Sequence, residues 1–227
     1  MASPANKLQL WNPVGRMVVF LLAATSIACL LLDFYKVCPM RTFTALIFMP
    51  ALLVLAGIAV FDWVRGDQQL GRAVLLGTLA GLIAAVAYDI FRLPFVFAND
   101  LGIQSVIPPL NLFKVFPRFG AMILNQPLEQ ESFSLSAHLT GWIYHFSNGA
   151  TFGVMYLALI GNPSKKHWAW GILMAVGLEL GMLFTPYPGF FHIPLTATFI
   201  IVTLVAHTIF GITLGQMSRR YGSAVYA

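Results

Sequence analysis

Charge is what this sequence has least of. Asp, Glu, Lys and Arg make up 9% of it, against 59% hydrophobic residues and a mean hydropathy of +0.80. A water-soluble domain, with roughly a quarter of its residues charged, is excluded by that balance. Cysteine is nearly absent too: Cys29 in an apolar run and Cys38 in a short polar gap form neither a CxxC nor a disulfide framework. HExxH, ExxH pairs and clustered histidine boxes are all missing, so neither a zinc protease nor a ferritin-type di-iron centre has motif support. There is also no basic run. The pI of about 9.4 comes from cations dealt out among the gaps between apolar stretches, a pattern that argues against nucleic acid and reports membrane orientation instead. No internal repeat is visible, which removes the main sequence support for an inverted-repeat transporter.

What is present is long apolar runs. About twenty such residues span a hydrocarbon core of about 30 Å as a helix. Six stretches qualify, at 16–34, 43–64, 72–98, 134–161, 168–187 and 193–216. Runs such as ALIFMPALLVLAGIAVF are apolar all round, whereas barrel strands alternate. The expectation is an all-α, polytopic membrane helix bundle forming one transmembrane domain over 1–227, with two anchoring helices at 16–64 and a four-helix unit at 72–216. TSIAC at Thr25–Cys29 faintly resembles a lipoprotein cleavage box, but Ser26 is too small and polar for it and LLLDFY continues the helix, so an uncleaved first span is expected. Lys7, Arg16, Arg65, Arg72, Lys165, Lys166, Arg219 and Arg220 fall on one side, against Lys36, Arg41, Lys114 and Arg118 on the other. The positive-inside rule then puts both termini in the cytoplasm, and the expected location is a bacterial inner membrane. The connection at 99–133, with Pro108, Pro109 and Pro117 among apolar residues, reads as an interfacial helix or a re-entrant cap on the outer face.

Ionisable residues inside spans are costly, at roughly 2.5 to 3.5 kcal/mol each on insertion scales, so each needs a reason. Here they are Asp89 and Arg92 in the third span, His138 and His145 in the fourth, Glu179 in the fifth and His207 in the sixth. At 1.5 Å per residue, Asp89 and Glu179 lie about 12 Å from the outer ends of their helices, His145 about 16 Å, His207 about 20 Å and His138 about 6 Å. If the faces converge, Asp89, His145, Glu179 and His207 form a two-carboxylate, two-imidazole site suited to a divalent metal such as Zn, Mn or Fe, or to relaying protons. His138, Arg92, Trp142 and Asn148 would then be supporting residues. Each has a structural alternative: Asp89 and Arg92 can pair along one helix face, Arg92 can snorkel, Glu179 can be neutral, and a buried histidine can bond a carbonyl. His145 with His207 is also a conceivable haem couple. A rival class is a non-catalytic accessory subunit of a larger membrane complex or a homo-oligomer, since aromatic and Gly-lined faces favour lateral contacts as well as lipid.

The order His138, Trp142, His145, Phe146, Ser147, Tyr156, then GILMAVGLELGMLFTPYPG, then His207 and Arg219–Arg220, resembles the YagU family of bacterial inner-membrane proteins. The likeness covers the fourth span to the tail. It implies a small polytopic inner-membrane protein associated with acid tolerance, without an established reaction, and supports His138, His145 and His207 as shared features. Around Asp89 and Arg92 the sequence departs from the family pattern.

Overall fold

The structure, a computed structural model, describes residues 7–226, and no strand forms among them beyond one isolated bridge between Leu8 and Gly66. The helices in chain order are α1 (Pro13–Phe34), α2 (Met40–Phe43), a π-helical turn (Thr44–Phe48), α3 (Met49–Arg65), α4 (Gln69–Val96), α5 (Val115–Leu124), α6 (Leu135–Ile160), a 3-10 turn (Pro163–Lys165), α7 (Trp170–Leu183), α8 (Tyr187–Phe190) and α9 (Ala197–Tyr226).

Local chemistry sets most of these ends. Asn12 caps α1 by accepting from the N–H groups of Val14 and Gly15, with Pro13 in the first turn where its missing N–H costs nothing. Ser134 caps α6, and Gly161, at φ +71°, ends it. Arg16 then donates to the Ala158 and Leu159 carbonyls at 2.8 and 2.7 Å, so a cation on α1 closes the carboxyl end of α6. The π turn has a cause as well. Pro50 cannot continue the α pattern, and just before it the Met49 N–H reaches back to the Thr44 carbonyl.

Four helices among the described residues are long and apolar enough to cross a membrane: Pro13–Phe34, the continuous run Met40–Arg65, Gln69–Val96 and Ala197–Ser223. The fourth and fifth expected spans differ from these. α6 has 26 residues but its polar face lowers its hydropathy, and α7 is apolar but only 14 residues long. The expected stretch to Tyr187 breaks at Thr185–Pro186, because prolines at 186 and 188 supply no N–H and bias the preceding residues away from helix.

α1 packs on α6, α6 on α4, α4 on α9 and α9 on α7, while α3 lies beside α1 and α4. In lipid there is no hydrophobic drive between helices, so close backbone approach has to provide the adhesion. Gly77 and Gly81 of α4 meet Gly149 and Gly153 of α6 closely enough that a Cβ at 81 would overlap the Gly149 carbonyl, and one at 153 the Gly77 carbonyl. Across the other α6 face, Tyr144 Oη donates to the Ser26 carbonyl at 2.7 Å and Ser26 bonds Thr151 at 2.7 Å.

Within the 99–133 connection, α5 forms a cap. α5 is buried along most of its length, and Gly120 and Gly141 let it lie directly on α6. Aromatic rings complete this roof: Phe34 stands 5.0 to 5.6 Å from Tyr187, Phe190 and Phe191, and Phe119 stands 5.5 Å from Phe191.

Candidate functional site

Beneath the roof, α1, α4, α6, α7 and α9 surround a cavity of about 150 Å³. Its wall is mostly apolar. Tyr88, Arg92, His145, Asn148, Glu179 and His207 are the main polar groups that reach it. The four helices that sequence depth singled out therefore do converge, but their ionisable groups meet in pairs.

In the first pair, Asp89 stands between two partners. Its Oδ1 accepts from Arg92 Nη1 at 3.2 Å and its Oδ2 faces His145 Nε2 at 2.8 Å. With Arg92 donating to one carboxylate oxygen, the other is the acceptor for the His145 ring. His145 therefore carries its hydrogen on Nε2 and keeps Nδ1 available. Arg92 is 4% exposed and does not snorkel. Its Nη2 donates to the Leu112 carbonyl in the cap, and its guanidinium lies over the rings of Tyr88 and Phe113, at 4.5 and 4.9 Å. Arg92 Nε and Asn148 Oδ1 are buried with no hydrogen bond among the described residues.

In the second pair, His207 Nδ1 lies 2.9 Å from the Thr203 carbonyl. A carbonyl only accepts, so Nδ1 carries the hydrogen. Nε2 then faces Glu179 Oε2 at 3.5 Å. Glu179 is buried at 8% exposure and has no other ionic partner among the described residues.

Tyr88 links the pairs. Its ring centre is 4.9 Å from that of His207 and 6.1 Å from that of His145, with the Arg92 guanidinium on its face. His145 also sits in an aromatic cage, 4.3 Å from Phe116, 5.2 Å from Phe146 and 5.7 Å from Trp142. Sequence reasoning named Trp142 but missed Tyr88 and Phe116. Tyr88 carried a usable signal, since AYDIFR puts it one residue before Asp89 and one turn before Arg92. His138 is exposed on the first turns of α6 and does not line the cavity.

A second cavity adjoins the first on the roof side. Tyr88, Arg92, Val115, Glu179 and Tyr187 line both, while Asn111, Lys114 and Thr196 line only the outer one. Burial, and secondarily the Arg118 guanidinium nearby, lowers Lys114 from the ordinary lysine range.

Among the described residues, no three of His, Cys, Asp and Glu stand close enough together to hold a metal ion. Both histidine Nε2 atoms, which a haem iron would need, face carboxylates. No protein-family model, curated protein or solved structure matches the chain.

Proposed function

We propose that this protein is a six-span bacterial inner-membrane protein, both termini cytoplasmic, whose cavity exchanges protons with the outer face. Glu179 and His207 are the exchanging pair. Asp89, locked by Arg92, is a fixed counter-charge beside His145 in its aromatic cage. The observation that carries this reading is the uneven commitment of the two pairs: among the described residues Asp89 has two hydrogen-bearing partners, whereas Glu179 has one ionic partner, an imidazole already bonded elsewhere. The outer cavity supplies a path, because Glu179, Tyr88 and Arg92 line it as well. Acid tolerance, which the YagU likeness implies, is a fitting physiology for such a site.

Infrared difference spectroscopy of the lipid-reconstituted protein between acidic and neutral buffer tests it. A protonated-carboxyl band that disappears in Glu179→Gln and shifts in His207→Gln is expected. No such band, or one that survives in Glu179→Gln, would sink the proposal. Stoichiometric Zn, Mn or Fe in the purified protein, lost in both Glu179→Ala and His145→Ala, would replace proton exchange with ion binding.

An accessory-subunit reading has one observation in its favour. The face of α7 turned away from α9 bears Leu173, Gly177, Leu180, Gly181 and Phe184, all exposed. A stoichiometric membrane partner co-purifying in mild detergent, and lost in Gly177→Leu, would support it.

A further inference from the structure

At the opposite, basic end of the bundle lies a groove that the proton site does not use. α6 and α7 follow each other in the chain yet make little contact, and the gap between them is lined by Tyr156, Leu159, Ile160, Lys166, Trp170 and Leu173. We propose that it holds one anionic phospholipid, with the phosphate at Lys166 and an acyl chain along the apolar wall. This site is independent of the proton-exchange reading.

Three features select that occupant. The first is a polarity gradient matched to a lipid. Leu159 and Leu173 are 58% and 63% exposed along the wall, Trp170 is 52% exposed at the mouth, and Lys166 is exposed with no ion pair among the described residues. A tryptophan and a lysine around an apolar slot are the pattern of a membrane interface. The second is an amphipathic ring in the wall. Tyr156 is 3% exposed and lines the groove, so it adds a tyrosine to the tryptophan and lysine there. The third is charge. Glu179 is the sole acidic residue from position 132 to the end of the sequence, and it sits at the far end of α7. This end of the bundle carries Lys165, Lys166, Arg219 and Arg220, and Lys166 lines the groove itself. The loop that carries the lysines lies on the tail of α9, with Trp168 against Gly215 and Pro163 against Gly222. Free phosphate would need the cations alone and would leave the apolar wall unexplained.

Native mass spectrometry of the full chain in mild detergent, titrated with dioleoyl phosphatidylglycerol and separately with dioleoyl phosphatidylcholine, tests the assignment. One phosphatidylglycerol should be retained in preference to phosphatidylcholine. Lys166→Gln should cut that preference about fivefold, as expected for one basic residue at a charged lipid surface. Arg41→Gln, at the other end of the bundle, should leave it intact. Leu159→Trp, a change at an exposed position that fills the slot, should remove bound lipid of both kinds while the thermal midpoint stays near wild type. Equal retention of the two lipids by wild type, full preference in Lys166→Gln, or displacement of the lipid by an equal concentration of inorganic phosphate would each overturn it.

Discussion

Asp89 shows how much rests on one carboxylate here. It neutralises Arg92, which is buried and cannot lose its charge, and it fixes the hydrogen of His145 on Nε2. Asp89→Asn removes the neutralisation and leaves a guanidinium stranded in the bundle, so about 3 to 5 kcal/mol of stability should be lost. His145→Gln removes only one partner and keeps the ion pair, so the cost should be nearer 1 to 3 kcal/mol, the penalty of an under-bonded buried acceptor. Denaturant unfolding of both variants in the same detergent checks the order, and equal losses would contradict the central role of Arg92. Arg92→Lys belongs with the severe variant despite its retained charge. An ammonium cannot reach Asp89 and the Leu112 carbonyl together while lying flat on Tyr88.

Glycines decide the contacts between elements. A Cβ at Gly141 would overlap the Phe116 carbonyl of α5, so Gly141→Ala must push the cap off α6, at a cost of about 1 to 3 kcal/mol. Gly177, on the bare face of α7, has nothing within 4 Å of an added Cβ. Gly177→Ala should therefore be neutral or stabilising by up to about 1 kcal/mol through helix propensity. A lowered thermal midpoint in Gly141→Ala beside an unchanged or raised one in Gly177→Ala would verify the packing. The same elements show what was legible in sequence. The helical rise of about 1.5 Å per residue put Asp89, His145, Glu179 and His207 at overlapping depth, and the cavity does gather their helices, because depth follows from chain position alone. Which group pairs with which depends on helix rotation and neighbour order. Those are fixed by contacts such as Gly81 on Gly149, which pair residues far apart in the chain. Spacing within one helix revealed Asp89 with Arg92, but it held no trace of Arg92 reaching Leu112 in a loop, nor of Tyr88 standing between two histidines. α7 also ended earlier than its hydropathy suggested, since apolar character measures solubility in lipid whereas Pro186 and Pro188 act on the backbone.

Orientation of the whole molecule joins the two ends into one scheme. The roof formed by α5 and α8 and the groove at Lys166 lie at opposite ends of the bundle, so a bilayer that wraps α1, α3, α4 and α9 separates them. In the proposed orientation, the positive-inside rule puts the Lys165–Lys166 end in the cytoplasm, where a leaflet rich in anionic lipid would favour it, and the cavity beneath the roof opens to the outside. The protein already carries a reporter of this arrangement. Cys29 is fully buried, while Cys38 is partly exposed in the turn between α1 and α2, at the roof end. A membrane-impermeant maleimide applied to intact cells should label Cys38 and leave Cys29 unmodified. In a Cys38→Ser background, Lys166→Cys should stay unlabelled until the membrane is permeabilised, and Lys114→Cys should be labelled at once. Labelling of Lys166→Cys in intact cells with protection of Lys114→Cys would invert the molecule. The proton cavity would then face the cytoplasm and could not exchange with an acidic exterior.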